Sequence, residues 1–151
     1  MTPRRLYRTL AIGEAITWTM LIAGMFLKYV TETTEIGVRL GGAAHGFVFL
    51  AYCAVTVLVA VDRRWTVGRL AAGIAAAFVP YLTVPFERSV ERAALLPGSW
   101  RLRTERPATL VERPVSLALR SPVLAGVLTL ASLVALFSGL LALGPPNEWG
   151  G

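Results

Sequence analysis

Two ionisable side chains, Glu14 and His45, lie inside long apolar stretches of the sequence and are its main candidates for chemistry. Ionisable groups are costly within a bilayer, so those that occur there commonly handle protons or ligands. They also join neighbouring helices by hydrogen bonds. We interpret both residues as polar links between helices and keep proton or ligand handling, and then catalysis, as alternatives. Tyr81 is a third polar candidate, on a later apolar segment.

Four apolar segments must position these side chains. The clearest, residues 41–61, contains no Asp, Glu, Lys or Arg. As an α-helix it would be roughly 30 Å long, the thickness of a bilayer hydrocarbon core. The first, residues 9–27, carries Glu14, and the fourth, residues 122–143, is uncharged. The sequence therefore predicts an all-α polytopic membrane protein, a small bundle of three to four transmembrane helices.

The third apolar segment, residues 67–86, is interrupted by Pro80 and Pro85. A proline inside a helix removes a hydrogen bond and kinks or breaks the helix. We favour one full, kinked helix, and a re-entrant hairpin is the alternative. With the N-terminus inside, four full spans would place six Lys and Arg residues inside and nine outside, whereas the hairpin places thirteen inside and two outside. The tendency of positive residues to face the cytoplasm fits the hairpin better.

The expected depths of Glu14 and His45 argue against direct contact. Glu14 follows the inner start of the first segment, and His45 follows the outer start of the second. At about 1.5 Å per residue, the two would be on the order of 13 Å apart along the membrane normal. By depth, Thr56 is the expected neighbour of Glu14, and Tyr81 is the expected neighbour of His45 if the third segment spans.

The charge of the chain is strongly basic. Its net charge is +6, and 55% of its residues are hydrophobic against 16% charged. Because the arginines flank apolar segments, we expect them to contact lipid headgroups or partner proteins, and we expect no nucleic-acid binding. Four arginines near predicted membrane interfaces are the candidates for these contacts: Arg63, Arg64, Arg101 and Arg103.

Catalytic and cofactor motifs are absent from the sequence. It has no G-x-S-x-G elbow, no P-loop and no H-E-x-x-H motif. A single histidine, His45, and a single cysteine, Cys53, cannot build a metal site by themselves. We therefore predict no enzyme activity and no cofactor.

Small residues recur at four-residue spacing on two segments. Gly42 and Gly46 form one such pair, and Gly73 and Ala77 form another. This spacing allows close approach of two helix backbones, so we expect these pairs to serve internal packing.

Several different short motifs occur within residues 6–92. They are Glu14-Ala15, Gly24-Met25-Phe26-Leu27-Lys28-Tyr29, His45-Gly46 with Phe49 and Tyr52, Arg64-Trp65, and Pro80-Tyr81-Leu82-Thr83 with Phe86-Glu87-Arg88. Together they resemble a bacterial integral-membrane family catalogued as domain of unknown function 3817. Leu82 stands where that pattern has Gly. The resemblance implies a small membrane domain and adds no reaction.

We predict three units along the chain. Residues 1–92 form a three-segment membrane domain, residues 93–121 an arginine-rich interfacial linker, and residues 122–151 a C-terminal transmembrane helix and tail. We expect a multi-pass protein of the bacterial inner membrane with a cytoplasmic N-terminus. The predicted function is that of an accessory or assembly subunit, with membrane lipids and other membrane subunits as partners. The alternative is a small proton-coupled transporter that uses Glu14 and His45.

Overall fold

The computed structural model describes residues 1–142, and within them all regular elements are helices, without strands. The polar tail after Ala142, part of the predicted unit 122–151, lies outside the described residues. The helices are α1 (Pro3–Tyr29), α2 (Ile36–Arg63), α3 (Val67–Ala76), α4 (Thr83–Arg92), α5 (Glu112–Arg120) and α6 (Pro122–Ala142), with a 3₁₀ turn at Arg101–Arg103.

Among residues 1–142, two helices, α1 and α2, are long and apolar enough to cross a membrane. The chain bends by 114° between α5 and α6, and counting this bent pair brings the possible spans to three. The predicted all-α membrane bundle is thereby confirmed.

Capping signals mark the start of α1 and the end of α2. Thr2 caps α1, since its Oγ1 accepts a hydrogen bond from the backbone N–H of Arg5 at 3.2 Å, and Pro3 occupies the first helical position. Arg64 ends α2 in the left-handed conformation, with φ 53°. The backbone N–H of Trp65 then reaches back to the carbonyl of Ala60 at 2.8 Å.

The α1–α2 hairpin is closed by glycines. A Cβ atom on Gly24 would lie 2.4 Å from the carbonyl carbon of Gly37, and a Cβ on Gly41 would lie 2.9 Å from the carbonyl oxygen of Met20. The predicted Gly42 has ordinary room, because its nearest neighbour would be a Leu21 methyl at 3.9 Å. The close approach therefore uses Gly37 and Gly41, one turn apart on α2.

The third apolar segment is a helical hairpin, so the favoured full, kinked helix is wrong. Helix α3 has 10 residues, about 15 Å, or half the hydrocarbon core. The chain then turns through residues 77–82 and returns as α4. Both Arg8 and Glu87 lie at the end where α3 began, joined by a 3.2 Å ion pair. The re-entrant alternative describes this segment.

Helix α1 supplies partners for the tip of the hairpin. The indole N–H of Trp18 donates to the backbone carbonyl of Ala77 at 3.3 Å, and the hydroxyl of Thr83 donates to the carbonyl of Ala11 at 3.1 Å. Backbone away from regular helix is tolerated at membrane depth only when protein or water satisfies it. Because Thr19, which contacts the tip, is eleven residues from Arg8, the tip reaches about 16 Å inward, near the bilayer middle.

The linker of residues 93–121 folds across the end of the bundle where α1 begins and α2 ends. The indole N–H of Trp100 donates to the carbonyl of Met1 at 3.0 Å. The fully buried carboxylate of Asp62 accepts the backbone N–H groups of Arg101 and Leu102 at 3.2 and 2.8 Å. Most arginines of the chain therefore gather at this one end, which we call the arginine end.

Candidate functional site

Glu14 lies on the face of α1 that packs against α2 and the α3–α4 hairpin. Its neighbours on this face are Ala11 and Thr17, because residues three apart on a helix lie side by side. The Glu14 side chain is fully buried. Its Oε2 lies 3.4 Å from the hydroxyl of Thr83 on α4, and its Oε1 lies 3.9 Å from Nδ1 of His45 on α2. One carboxylate therefore faces two other elements.

His45 completes this cluster from α2. Its Nδ1 lies 3.3 Å from Oγ1 of Thr17, and its ring packs on Trp18 with 4.4 Å between the ring centroids. The Thr17 hydroxyl donates its only hydrogen to the backbone carbonyl of Glu14 at 3.0 Å. Its oxygen can therefore accept from the imidazole when Nδ1 carries a proton.

The predicted separation of Glu14 and His45 by about 13 Å is wrong. The estimate placed Gly41 at the outer end of its helix, but α2 begins five residues earlier, at Ile36. Gly41 consequently lies against Met20, near the middle of α1. This shift brings His45 level with the turn that carries Glu14.

The depth-based partners also change. Thr56 bonds to Tyr7, with 3.3 Å between their hydroxyl oxygens, and Thr83 takes the place that we expected Thr56 to occupy beside Glu14. Tyr81 lies at the hairpin tip with its hydroxyl 3.3 Å from Oγ1 of Thr19, and it is 46% exposed. The structure therefore brings Glu14 and His45 together, whereas Tyr81 bonds to Thr19 at the hairpin tip.

Leu82, which replaces the Gly of the family pattern, causes no strain. Its φ is −70°, which any residue adopts, whereas the preceding Tyr81 has the left-handed φ of 66°. The hairpin turn therefore places its unusual backbone conformation on Tyr81.

The cluster can hold a proton or join helices. The 3.9 Å between the carboxylate and the imidazole is too long for a hydrogen bond but short enough for an ion pair when the imidazole is protonated and the carboxylate ionised. Oε1 of Glu14 has no hydrogen-bond partner among the described residues. Within residues 1–142, no three metal-ligating side chains gather into a possible metal site.

A second polar network lies closer to the arginine end. Tyr7 and Tyr52 are fully buried, with 2.9 Å between their hydroxyl oxygens, and Thr56 joins them. The Thr56 hydroxyl also lies 2.8 Å from the carbonyl of Tyr52. Sequence reasoning missed this network, although the aromatic and hydroxyl residues at positions 52 and 56 lie one helical turn apart.

Three of the four predicted surface arginines bond within the protein. Arg63 pairs with Asp62 at 3.0 Å and donates to the carbonyl of Ser99. Arg64 and Arg101 both bond to the Glu112 carboxylate, at 3.0 and 2.6 Å. These arginines hold the linker onto the end of α2.

Arg103 makes no ion pair with a carboxylate of residues 1–142. It lines two adjacent cavities at the arginine end. The other three predicted contact arginines each pair with a carboxylate, so Arg103 is the one of the four without such a partner in the described residues.

A further set of ion pairs was also missed. Arg4 and Arg8 on α1 pair with Glu91 on α4, and Arg8 also pairs with Glu87. The sequence did contain a signal for these pairs, because the two arginines lie four residues apart and so do the two glutamates. Matching i, i+4 spacings place each pair on one helical face.

Comparison with known proteins agrees with this description. A Streptomyces coelicolor protein, named as a membrane protein, is 46% identical over 94 residues, which are 62% of this chain and 11% of that protein. Most of the relative's length thus lies outside the match. No solved structure matches the chain. The sequence model of a bacterial domain of unknown function, DUF3817, matches residues 4–92, and the chain belongs to this family of membrane proteins.

Proposed function

We propose that the protein is a non-catalytic module of the bacterial inner membrane that assembles with other membrane subunits. One observation carries the proposal: side-chain hydrogen bonds inside the bundle join its elements. His45 on α2 bonds to Thr17 on α1, and Thr83 on α4 bonds to the backbone carbonyl of Ala11 on α1. Such links specify a rigid helical unit, which suits a structural partner.

The relative supports the same interpretation. Its matched region is a small part of a much longer membrane protein. A unit of this kind that occurs within a longer chain fits a role beside other membrane segments.

We further propose that the arginine end faces the cytoplasm. Thirteen of the fifteen Lys and Arg residues fall on the segments that meet at this end, and the other two, Lys28 and Arg39, flank the connection between α1 and α2. Positive residues concentrate on the cytoplasmic side of inner-membrane proteins. This orientation puts the N-terminus inside.

Deletion and complementation test the subunit proposal. Membranes of the deletion strain and its parent are solubilised in mild detergent, separated by native electrophoresis and quantified by mass spectrometry. We expect one membrane complex to lose mass or abundance on deletion and to recover with the wild-type gene. Unchanged complexes in the deletion strain would exclude the subunit role.

A proton-coupled transporter is the second candidate, favoured by the 3.9 Å contact between Glu14 and His45. The double variant Glu14→Gln/His45→Asn keeps hydrogen-bonding groups but cannot carry a mobile proton. If the module is structural, this variant restores the complex as the wild type does. If the folded variant restores the complex but not a growth defect of the deletion strain, the transporter interpretation replaces ours.

A further inference from the structure

An apolar groove runs between α2 and α6 and has a volume of 410 Å³. Its walls are mostly alanine, leucine and valine side chains, including Ala51 and Ala54 on α2 and Leu130 on α6. Gly126 on α6 also lines it, and a Cβ atom there would meet nothing within 4 Å. The groove is therefore an open apolar space along the described parts of both helices.

At the arginine end, the groove adjoins a basic pocket of 490 Å³. Met1, Trp100 and Arg103 line both spaces, and Arg5 lines the pocket alone. Trp100 is held at this boundary by its bond to the carbonyl of Met1. Tryptophan at the junction of an apolar space and a charged one is typical of the headgroup level of a membrane.

Arg5 and Arg103 differ from the arginines around them. Arg4 and Arg8 pair with glutamates of α4, and Arg101 pairs with Glu112. In the described part of the chain, no carboxylate lies within ion-pair distance of Arg5 or Arg103. Two exposed guanidinium groups thus line one pocket without a protein anion, which is the charge complement of a phosphate.

The dimensions of the groove fit one acyl chain. Phe47 and Leu58, eleven residues apart on α2, mark its length, about 16 Å, close to one leaflet of the roughly 30 Å hydrocarbon core. The groove opens at one end into the basic pocket, since Met1, Trp100 and Arg103 line both. Its occupant must therefore join an apolar chain to an anionic group, as a phospholipid does and an apolar helix does not.

We propose that this groove and pocket form a binding site for one anionic phospholipid of the arginine-end leaflet. One acyl chain lies between α2 and α6, and the phosphate lies between Arg5 and Arg103 beside Trp100. This site is independent of the subunit role, because it requires no other protein.

Native mass spectrometry of the full-length, delipidated protein in mild detergent tests the proposal. The protein is titrated with phosphatidylglycerol, with phosphatidylcholine of the same acyl chains, and with inorganic phosphate. We expect one phosphatidylglycerol to bind about ten-fold or more tightly than phosphatidylcholine, because two arginines face the anionic headgroup. We expect inorganic phosphate not to compete with it, because phosphate has no chain to occupy the groove.

Two pairs of variants locate the site. Arg5→Gln/Arg103→Gln should reduce phosphatidylglycerol binding to the level of phosphatidylcholine. The matched control Arg88→Gln/Arg92→Gln removes the same charge from exposed arginines on α4 and should leave the preference intact. Gly126→Leu should weaken both lipids about ten-fold by filling the groove. Gly139→Leu, at another open position on α6, should change neither.

Each other result overturns the proposal. Equal affinity for the two lipids would mean that the pocket does not select an anionic headgroup. Competition by inorganic phosphate would indicate a site for a soluble anion. Equal effects of the two glycine variants would place any bound lipid outside the groove. The glycine pair also keeps the proposal falsifiable if the arginine variant fails to fold.

Discussion

Glu112 illustrates how individual residues fasten the linker to the membrane bundle. Its side chain is almost fully buried, and its carboxylate accepts the backbone N–H of Ala108 at 2.7 Å and the guanidinium groups of Arg101 and Arg64. These donors favour the charged form, with the Ala108 amide contributing most, and lower the pKa of Glu112 from 4.5 to about 2. The carboxylate is therefore bound more strongly when ionised.

This pKa predicts acid sensitivity of the arginine end. A carboxylate with a depressed folded-state pKa adds stability that is present above the unfolded pKa of 4.5 and is lost as the pH falls towards about 2. We expect the thermal unfolding midpoint in mild detergent to fall in this window. Glu112→Gln should lower the midpoint by a few degrees at neutral pH and flatten the acid decline. Glu35→Gln, which alters an exposed pair with Lys28, is the control, and a decline in Glu112→Gln parallel to the wild type would contradict the assignment.

The sequence was informative about residue type and less informative about partners. Glu14 and His45 were identified because ionisable groups are rare in apolar segments. Their 3.9 Å contact could not be predicted, since it depends on where α2 begins. Arg101 was expected to contact lipid headgroups or partner proteins. In the structure it bonds to Glu112, a residue eleven positions away whose approach depends on the linker's fold.

At the scale of elements, the α1–α2 hairpin depends on close backbone contact. A Cβ on Gly24 would meet the carbonyl carbon and oxygen of Gly37 at 2.4 and 2.5 Å. Backbone atoms cannot rotate away as a flexible side chain can, so the helices would have to separate. This separation would weaken the other contacts between α1 and α2, including those of the Glu14 cluster.

We therefore expect Gly24→Ala to destabilise the protein. Overpacking of this kind costs about 1–3 kcal/mol, which corresponds to a thermal midpoint roughly 2–12 °C lower for a chain of this size. Gly68→Ala in α3 is the matched control, since a Cβ there meets nothing within 4 Å. The control should be neutral or slightly stabilising, because alanine favours helix. Equal midpoints for the two variants would mean that the helices are not closely packed at Gly24.

The third segment shows which aspects of an element can be predicted. Pro80 and Pro85 correctly indicated that residues 67–86 are not one regular helix. The direction after the break was not predictable from these prolines alone, because an interior proline either kinks or breaks a helix and does not determine whether the chain continues or turns back. Contacts distant in sequence decide it: Thr83 bonds to α1, and α4 pairs with Arg8. The distribution of Lys and Arg residues did favour the hairpin, because it places most of them on one side of the membrane.

At the scale of the whole molecule, the hairpin and the charge distribution give one topology. Because α3 and α4 enter and leave at the same end, the linker of residues 93–121 returns to the side on which α1 begins. The arginine end then carries nearly all the positive charge, and the opposite end carries the short connection between α1 and α2. A full third span would instead have placed the linker beside that connection.

Cysteine labelling in intact cells tests this topology. In a Cys53→Ala background, which removes the only thiol, Ser99→Cys places a thiol on the exposed linker and Thr33→Cys places one on the exposed α1–α2 connection. If the arginine end is cytoplasmic, a membrane-impermeant maleimide labels the Thr33→Cys protein in intact cells and the Ser99→Cys protein only after lysis. Labelling of both in intact cells would place the linker outside and contradict the hairpin. Labelling of Ser99→Cys alone would invert the orientation while keeping the two ends apart, because the fold fixes which segments share a side and the arginines decide which side that is.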